Sequence, residues 1–600
     1  VFKSAAATRH GPQTIGGAIN LLTRDVPDAG VVYGVDLAGG LRGTAKIHGF
    51  GGVGGDRAGV LAEVVHLRTS GFKTIDGAPD APTGFDRTDA MVKGRLTLSP
   101  DHELGLKLGY GNETSNETYL GLTQADFNAD PYRRYAATQN ALMVWNRTQA
   151  QVSWDARFGD AVTLRTVGYH HWLDRAWTKF NGVGSGLDVG ELLQLDPQSG
   201  QGQATLSFLR GTADTDPGSA DQAILIGTNH RTYQSMGVQT LARWEVDQEK
   251  VSSTLEAGAR VHKDIVDRVH DEIDHDMAGG QLVRRDGAER VVNTDTRAFA
   301  DAVAVWVHED LRLGPLHVLP GGRIESINTS ITNNQAPNTD APAIRRTTLL
   351  PGLGLLYQIG DYVDLFAGSY RGFSPVSPGQ PAEVEPELAW NHEAGVRAGD
   401  NALYGELVGF FNDYTNITGA CTLSGGCDDD ILDRQFNGGD AHVLGVEAVA
   451  GGEILLPGAF SVPLRATWTT TEGVFQTGFT SSFPQFGTVE PGDYLPYVPE
   501  HQGSARATLK HEVWDVGVGA TYRSGMLDEA GPLFIDADDV PPLFLLDAAA
   551  RVHIQERFTV YATGTNLTNT PGLTSWRPFG ARPTAPVQVM VGVKVAPRPK

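Results

Sequence analysis

The chain has 600 residues, with 48 Lys plus Arg against 71 Asp plus Glu and a formal net charge of −23. That acid excess speaks against a general phosphate-backbone binder, which needs a basic face. The 2 Cys exclude a disulfide scaffold or a Cys-rich zinc array, and no run of about 18 apolar residues encodes a membrane helix.

Residue 1 is Val, and no basic n-region or apolar h-region follows it, so the chain is expected to begin inside a mature protein or as a fragment of one. The length asks for several domains or one very large architecture. The 73 Gly and 32 Pro are below the roughly 25–30 % of a low-complexity chain, so they mark turns, not disorder.

In the first segment, Ala7-Thr8-Arg9-His10-Gly11-Pro12-Gln13-Thr14-Ile15-Gly16-Gly17-Ala18-Ile19-Asn20-Leu21-Leu22-Thr23-Arg24, the Gly11-Pro12 and Gly16-Gly17 pairs permit sharp reversals. Ile19 and Leu21 alternate with Ala18, Asn20 and Leu22, which predicts a strand. Further on, Leu96 and Leu98 alternate with Arg95 and Thr97. After Ser99-Pro100-Asp101-His102, Leu104, Leu106, Leu108 and Tyr110 alternate with Glu103, Gly105, Lys107 and Gly109. Successive strand side chains point to opposite faces, so this is a tight hairpin with one apolar face. The same period returns at Val516–Tyr522, Phe544–Ile554 and Val587–Val595.

These runs match the roughly 9–11 residues of a tilted membrane-spanning strand better than the roughly 5–6 of a soluble sandwich. Residues 111–147, 181–230, 264–296, 329–346 and 470–497 are long polar stretches, read here as loops too long for compact-domain connections. Short turns at one rim and long loops at the other describe a transmembrane barrel. Aromatic clusters at strand ends, such as Phe410, Phe411 and Tyr414, or His170, His171 and Trp172, suit interfacial girdles. A β-propeller is the competing many-stranded architecture, but no blade repeat of about 40–50 residues is visible.

The run from Ala7 to Arg24 resembles the end of the plug domain in TonB-dependent outer-membrane receptors, with His10 where those proteins usually carry Tyr. Leu349–Tyr357 and Asp364–Pro375 resemble mid-barrel strands of that family. So do Glu385-Pro386-Glu387 with Trp390–Arg397, Gly445-Val446-Glu447, Asn566–Asn569 and Arg577–Pro583. The loop from Glu117 to Tyr132 resembles the ferric dicitrate receptor branch.

The resemblance implies an all-β fold, a 22-stranded antiparallel transmembrane β-barrel over residues 28–600, with the C-terminal remnant of a plug domain over residues 1–27. Most of the plug, its TonB box and any leader are then expected to lie outside this sequence. Pro597 and Pro599 follow Val595, so the last strand is expected to stop there, without the usual terminal aromatic.

Function follows as an expectation. The resemblance implies a bacterial outer-membrane receptor that imports a ferric chelate such as ferric citrate or a siderophore. Its partners are the TonB energy-transducing protein, the iron chelate and outer-membrane lipid, with no nucleic acid and no cofactor. No Gly-x-Ser-x-Gly, His-Glu-x-x-His or Walker A run supports an enzyme. A secreted β-propeller hydrolase and a passive porin are the alternatives, and the plug-end run argues against both.

Lys3 stands where the family's plug arginine falls, and Glu393 and Glu447 match its barrel carboxylates. An interior ion cluster of Lys3, Glu393 and Glu447, joined by Arg9, is therefore expected. For an anionic chelate, Arg133 and Arg134 in one long loop and Arg268, His270, Arg284, Arg285 and Arg290 in another are the candidate binding residues, since guanidinium recognises carboxylate. His270, Asp271, Glu272, Asp274, His275 and Asp276 have ligand chemistry but no recognised metal spacing, so no metal is assigned. In a barrel's outer loop, Cys421 and Cys427 are expected to form a disulfide.

Overall fold

The computed structural model describes residues 4–336, 341–400, 402–422, 427, 434–536, 539–555 and 557–596. Its framework is one closed antiparallel sheet of 22 strands. The first eight are β1 (Gly30–Gly40), β2 (Ala45–Gly54), β3 (Ala58–Thr69), β4 (Phe85–Ser99), β5 (His102–Ser115), β6 (Leu142–Phe158), β7 (Val162–Val183) and β8 (Ile224–Gln248). Next come β9 (Val251–Ala278), β10 (Val291–Leu313), β11 (Leu316–Asn333), β12 (Ala341–Ile359), β13 (Val363–Ser374), β14 (Glu387–Gly399) and β15 (Leu403–Thr415). The rest are β16 (Ala441–Leu456), β17 (Phe460–Phe475), β18 (His501–His511), β19 (Trp514–Arg523), β20 (Leu543–Ile554), β21 (Phe558–Thr565) and β22 (Gln588–Val595).

Each strand pairs with its chain neighbours, and β22 closes onto β1 through the register from Val35↔Val595 to Gly40↔Met590. Closure leaves no open edge, the condition for a sheet to cross a membrane. A β-propeller is thereby set aside.

Strand β10 shows why these residues make a wall. Val303, Val305 and Val307 are 52 %, 57 % and 49 % exposed on the outside, while Ala304, Trp306 and His308 between them are buried toward the bore. Period-two patterning points every second residue outward and the others into the bore. Trp390, Phe411 and Trp468 stand exposed at one level of the belt, and Trp244, Tyr357 and Tyr362 near the opposite rim. Amphipathic rings favour these two interfaces. Outward Lys263 and Asp301, 3.2 Å apart, mark where the belt ends on β9 and β10.

At one rim only Glu249 and Lys250 separate β8 from β9, and Gly314 and Pro315 separate β10 from β11. Gly314 turns there at φ 60°, a left-handed conformation that a side chain would strain. At the other rim the connections are long, but shorter than the sequence pattern suggests. Strands β8 and β9 run for 25 and 28 residues, far beyond a bilayer's need of about 11. Above the belt both strand faces are wet, so the alternation fades while the ladder continues. Residues 264–278, expected in a loop, are therefore strand.

The long connections pack a roof over this rim. Leu122, Tyr135, Leu193, Leu209, Trp576 and Phe579, from three connections, share one buried apolar cluster. Helices α1 (Gln124–Ala129), α2 (Val189–Leu195) and α3 (Gly200–Arg210) belong to this roof. Cys421 and Cys427 are bonded, with Cα atoms 5.6 Å apart, beside Phe475, Phe483 and Phe486 in a second apolar cluster.

The N-terminal segment enters the bore. A 3-10 turn, Ser4–His10, lies against β11, β12 and β13. Gln13 N donates to Phe373 O at 3.0 Å. Gly372 permits this approach, because a Cβ there would sit 2.6 Å from Ile15 Cα. The strand expected at residues 18–22 does not form, and Leu21 and Leu22 are both 87 % exposed. Alternation alone cannot hold a strand whose backbone groups lack a ladder.

Candidate functional site

The chemistry of the bore follows from register. Outward Val238 on β8 and Val261 on β9 fix the parity of both strands, so Arg231 and Arg268 face inward. Arg231 is the direct cross-strand partner of Arg175 on β7 and of Arg268 on β9. Three guanidinium groups thus stand abreast on adjacent strands. One step higher, Asn229 is the partner of Trp177 and His270. Like charges set directly opposite one another concentrate positive potential at this level of the bore.

The surroundings are donor-rich. Arg231 Nε donates to Asn229 Oδ1 at 3.0 Å. Lys179 Nζ donates to Asn181 Oδ1 at 2.6 Å and lies 4.9 Å from the centre of the Tyr119 ring. Tyr119 meets Trp177 edge-on at 4.6 Å. Among the described residues, the indole N–H of Trp177 and Nε of Arg175 are buried without a hydrogen-bond partner. Burial, then the charges of Lys179, Arg268 and Arg231, push the His270 imidazole down to about 3, so it is neutral at physiological pH. Its Nε2 lies 3.0 Å from Asn181 Nδ2, and Asn181 also donates to Glu272 Oε1. Cations and aromatic faces, with the buried N–H groups of Trp177 and Arg175, supply the chemistry that can grip a carboxylate.

The other expected binding residues lie elsewhere. Arg285 Nη2 pairs with Asp276 Oδ1 at 2.7 Å, Arg290 Nε with Asp271 Oδ2 at 2.8 Å, and Arg284 Nη2 donates to Ala288 O. All three brace their own hairpin. Arg133 bridges Asp76 and Asp126 at 2.8 and 2.7 Å, and Arg134 donates to Asn116 O and Thr138 O. These two arginines fasten roof connections to one another.

Arg175 and Arg231 were not selected from the sequence. Their inward parity was legible, but their adjacency required the register of three strands.

Asp126 is the roof's electrostatic knot, accepting from Arg133, from Arg210 at 2.8 Å and from the Tyr135 hydroxyl at 2.5 Å. Burial pushes its carboxyl up, but the bonds from Tyr135 and Arg210 and the charge of Arg133 outweigh this and hold it below the usual range. A depressed carboxylate adds stability above its unfolded pKa of about 4, lost as pH falls through the folded value. Roof connections are therefore expected to resist protease at neutral pH and to open in acid below about pH 4. Asp126→Asn should make them cleavable already at pH 7. Equal cleavage of both proteins at pH 7 would contradict this role.

The N-terminal segment is held by ions within the bore. Arg9 Nη1 pairs with Glu256 Oε2 on β9 at 2.7 Å, a carboxylate the sequence reading did not select. Arg323 Nε pairs with Glu325 Oε2 at 2.6 Å, both almost wholly buried, and Arg323 Nη1 donates to Arg9 O at 3.4 Å. Glu393 and Glu447 line a cavity of ≈ 130 Å³ together with Gly16, Tyr370 and Asn391. Lys3 lies outside the described residues.

Residues 84–567 match the family model described as TonB dependent receptor-like, beta-barrel. The ferric citrate transporter FecA in its unliganded form is similar at 18 % identity and a TM-score of 0.74, over 98 % of this chain and 82 % of that one. The siderophore receptor PiuA from Acinetobacter baumannii is similar at 13 % identity and a TM-score of 0.78, over 99 % and 85 %. The ferric-catecholate import receptor Fiu from K12 E. coli in its closed form follows at 14 % and 0.72, over 99 % and 85 %. At these identities the likeness is one of fold.

Proposed function

Because the chain belongs to the TonB-dependent receptor-like β-barrel family, we propose that it captures an anionic ferric chelate, ferric citrate or a siderophore, at the outer face of a bacterial outer membrane and imports it with energy delivered by TonB. The observation that carries the reading is the inward row Arg175, Arg231 and Arg268 beneath the roof. The net charge of −23 gives no global attraction for an anion, so capture depends on this local field.

Residues 1–27 are read as the end of a plug. Support comes from the Arg9–Glu256 pair and the bond from Gln13 to Phe373, which hold the segment inside the bore against β9 and β13. A passive porin has no use for such a stopper. The protein binds and gates, and catalyses nothing.

Deleting the gene from its host should abolish growth on one anionic ferric chelate as sole iron source, and removing TonB should have the same effect. Growth undiminished on a panel of ferric citrate, catecholates and hydroxamates would refute the reading.

A further inference from the structure

A second group of cations lies in the roof, away from the arginine row. Thr74 N donates to Tyr132 O at 2.9 Å, and Thr74 and Ile75 run parallel to Arg133 and Arg134. Connection 70–84 is thereby laid beside connection 116–141. Bridges from Leu120 to Phe579 and from Leu122 to Ala581 add connection 566–587. Lys73, Arg134 and Arg582 meet where these three join.

Both guanidinium groups read the same backbone stretch. Arg134 Nη1 donates to Asn116 O at 2.7 Å, and Arg582 Nη1 donates to Thr118 O at 3.1 Å, with Nη2 reaching Tyr119 O. They bracket Glu117. Every acceptor they reach is a neutral carbonyl or the Thr138 hydroxyl. Among the described residues no ion pair joins Glu117 to Lys73, Arg134 or Arg582, and the Lys73 ammonium has no hydrogen bond. Arg582 Nε is buried without a partner. Three cations therefore face one carboxylate that touches none of them. One carboxylate against three cations leaves an excess of positive charge in a partly buried place, which is costly, and the donors left over are those that grip an oxyanion.

We propose that this junction binds a small free oxyanion, of the sulfate or phosphate class, between Lys73, Arg134 and Arg582, locking the three connections together. Burial, then the charges of Arg582 and Arg134 against that of Glu117, push the Lys73 ammonium down to about 7 in the empty site. The oxyanion takes the protonated form, so affinity is full in mild acid and falls as pH rises past neutrality. Site and proposal are independent of the arginine row in the bore.

The test is equilibrium dialysis of radiolabelled sulfate, a dianion throughout this range, against the full chain in detergent at constant ionic strength. An Arg175→Ala/Arg231→Ala/Arg268→Ala background removes the bore row as a competing site. Saturable binding is expected at about pH 6, weakening at least about tenfold at about pH 9. Lys73→Met should weaken it at least about tenfold at about pH 6. Without sulfate this variant should resist loop proteolysis at least as well as its parent, since an uncompensated charge has gone. Absence of saturable binding, or affinity unchanged by both pH and Lys73→Met, would overturn the proposal.

Discussion

Arg231→Ala is expected to weaken binding of an anionic ferric chelate at least about tenfold, and the triple change Arg175→Ala/Arg231→Ala/Arg268→Ala to abolish it. Hydrogen bonds to charged groups contribute about 1.5–3 kcal/mol each, so losing one guanidinium costs about ten- to a hundredfold in affinity. Arg231 is the central member, abreast of both others, and its loss splits the row. Arg231→Lys should restore little, because an ammonium lacks the planar fork. Binding is readable as tryptophan quenching, with Trp177 one register step from Arg231. The affinity of the parent should fall with added salt more steeply than the residual affinity of the variant. Equal affinity of parent and triple variant would remove the arginine row from the account.

Glu325→Ala is expected to have the largest effect on stability. Arg323 and Glu325 form the most deeply buried ion pair among the described residues, at 1 % and 3 % side-chain exposure. Removing one partner leaves the other charge buried and uncompensated, at a cost of about 3–5 kcal/mol. The Arg323 guanidinium also lies 5.0 Å from the centre of the Trp306 ring and donates to the backbone of Arg9, so the loss reaches the N-terminal segment. A lower urea midpoint and new cleavage near Arg9 are the readouts. Glu325→Gln, which keeps an acceptor, should lose less. An unchanged midpoint in Glu325→Ala would show that the pair holds nothing in place.

How much of this could be read from the sequence depended on what surrounds each segment. Within the lipid belt one face must be apolar and the other need not be, so Val303, Val305 and Val307 announce their strand, as do Val516 and Val518. Above the belt water lies on both sides and the pattern fades, which is why residues 264–278 read as loop although they extend β9. Arg268 and His270 therefore have legible chemistry but lie on a strand, not in a loop. Arg285 and Arg290 looked equivalent to them in the same charge-rich stretch. Their carboxylate partners, Asp276 and Asp271, lie across one hairpin and neutralise them. Arg175 and Arg231 became conspicuous only when the registers of β7, β8 and β9 placed them beside Arg268. The most non-local ion pair among the described residues is in the bore, where Arg9 reaches Glu256 on β9.

The most direct measurement compares, on the purified full chain in detergent, equilibrium binding of an anionic ferric chelate with that of a cationic chelate of matched size at low salt. A receptacle built on Arg175, Arg231 and Arg268 should take the anion and leave the cation unbound. Equal affinity for both, or preference for the cation, would contradict it.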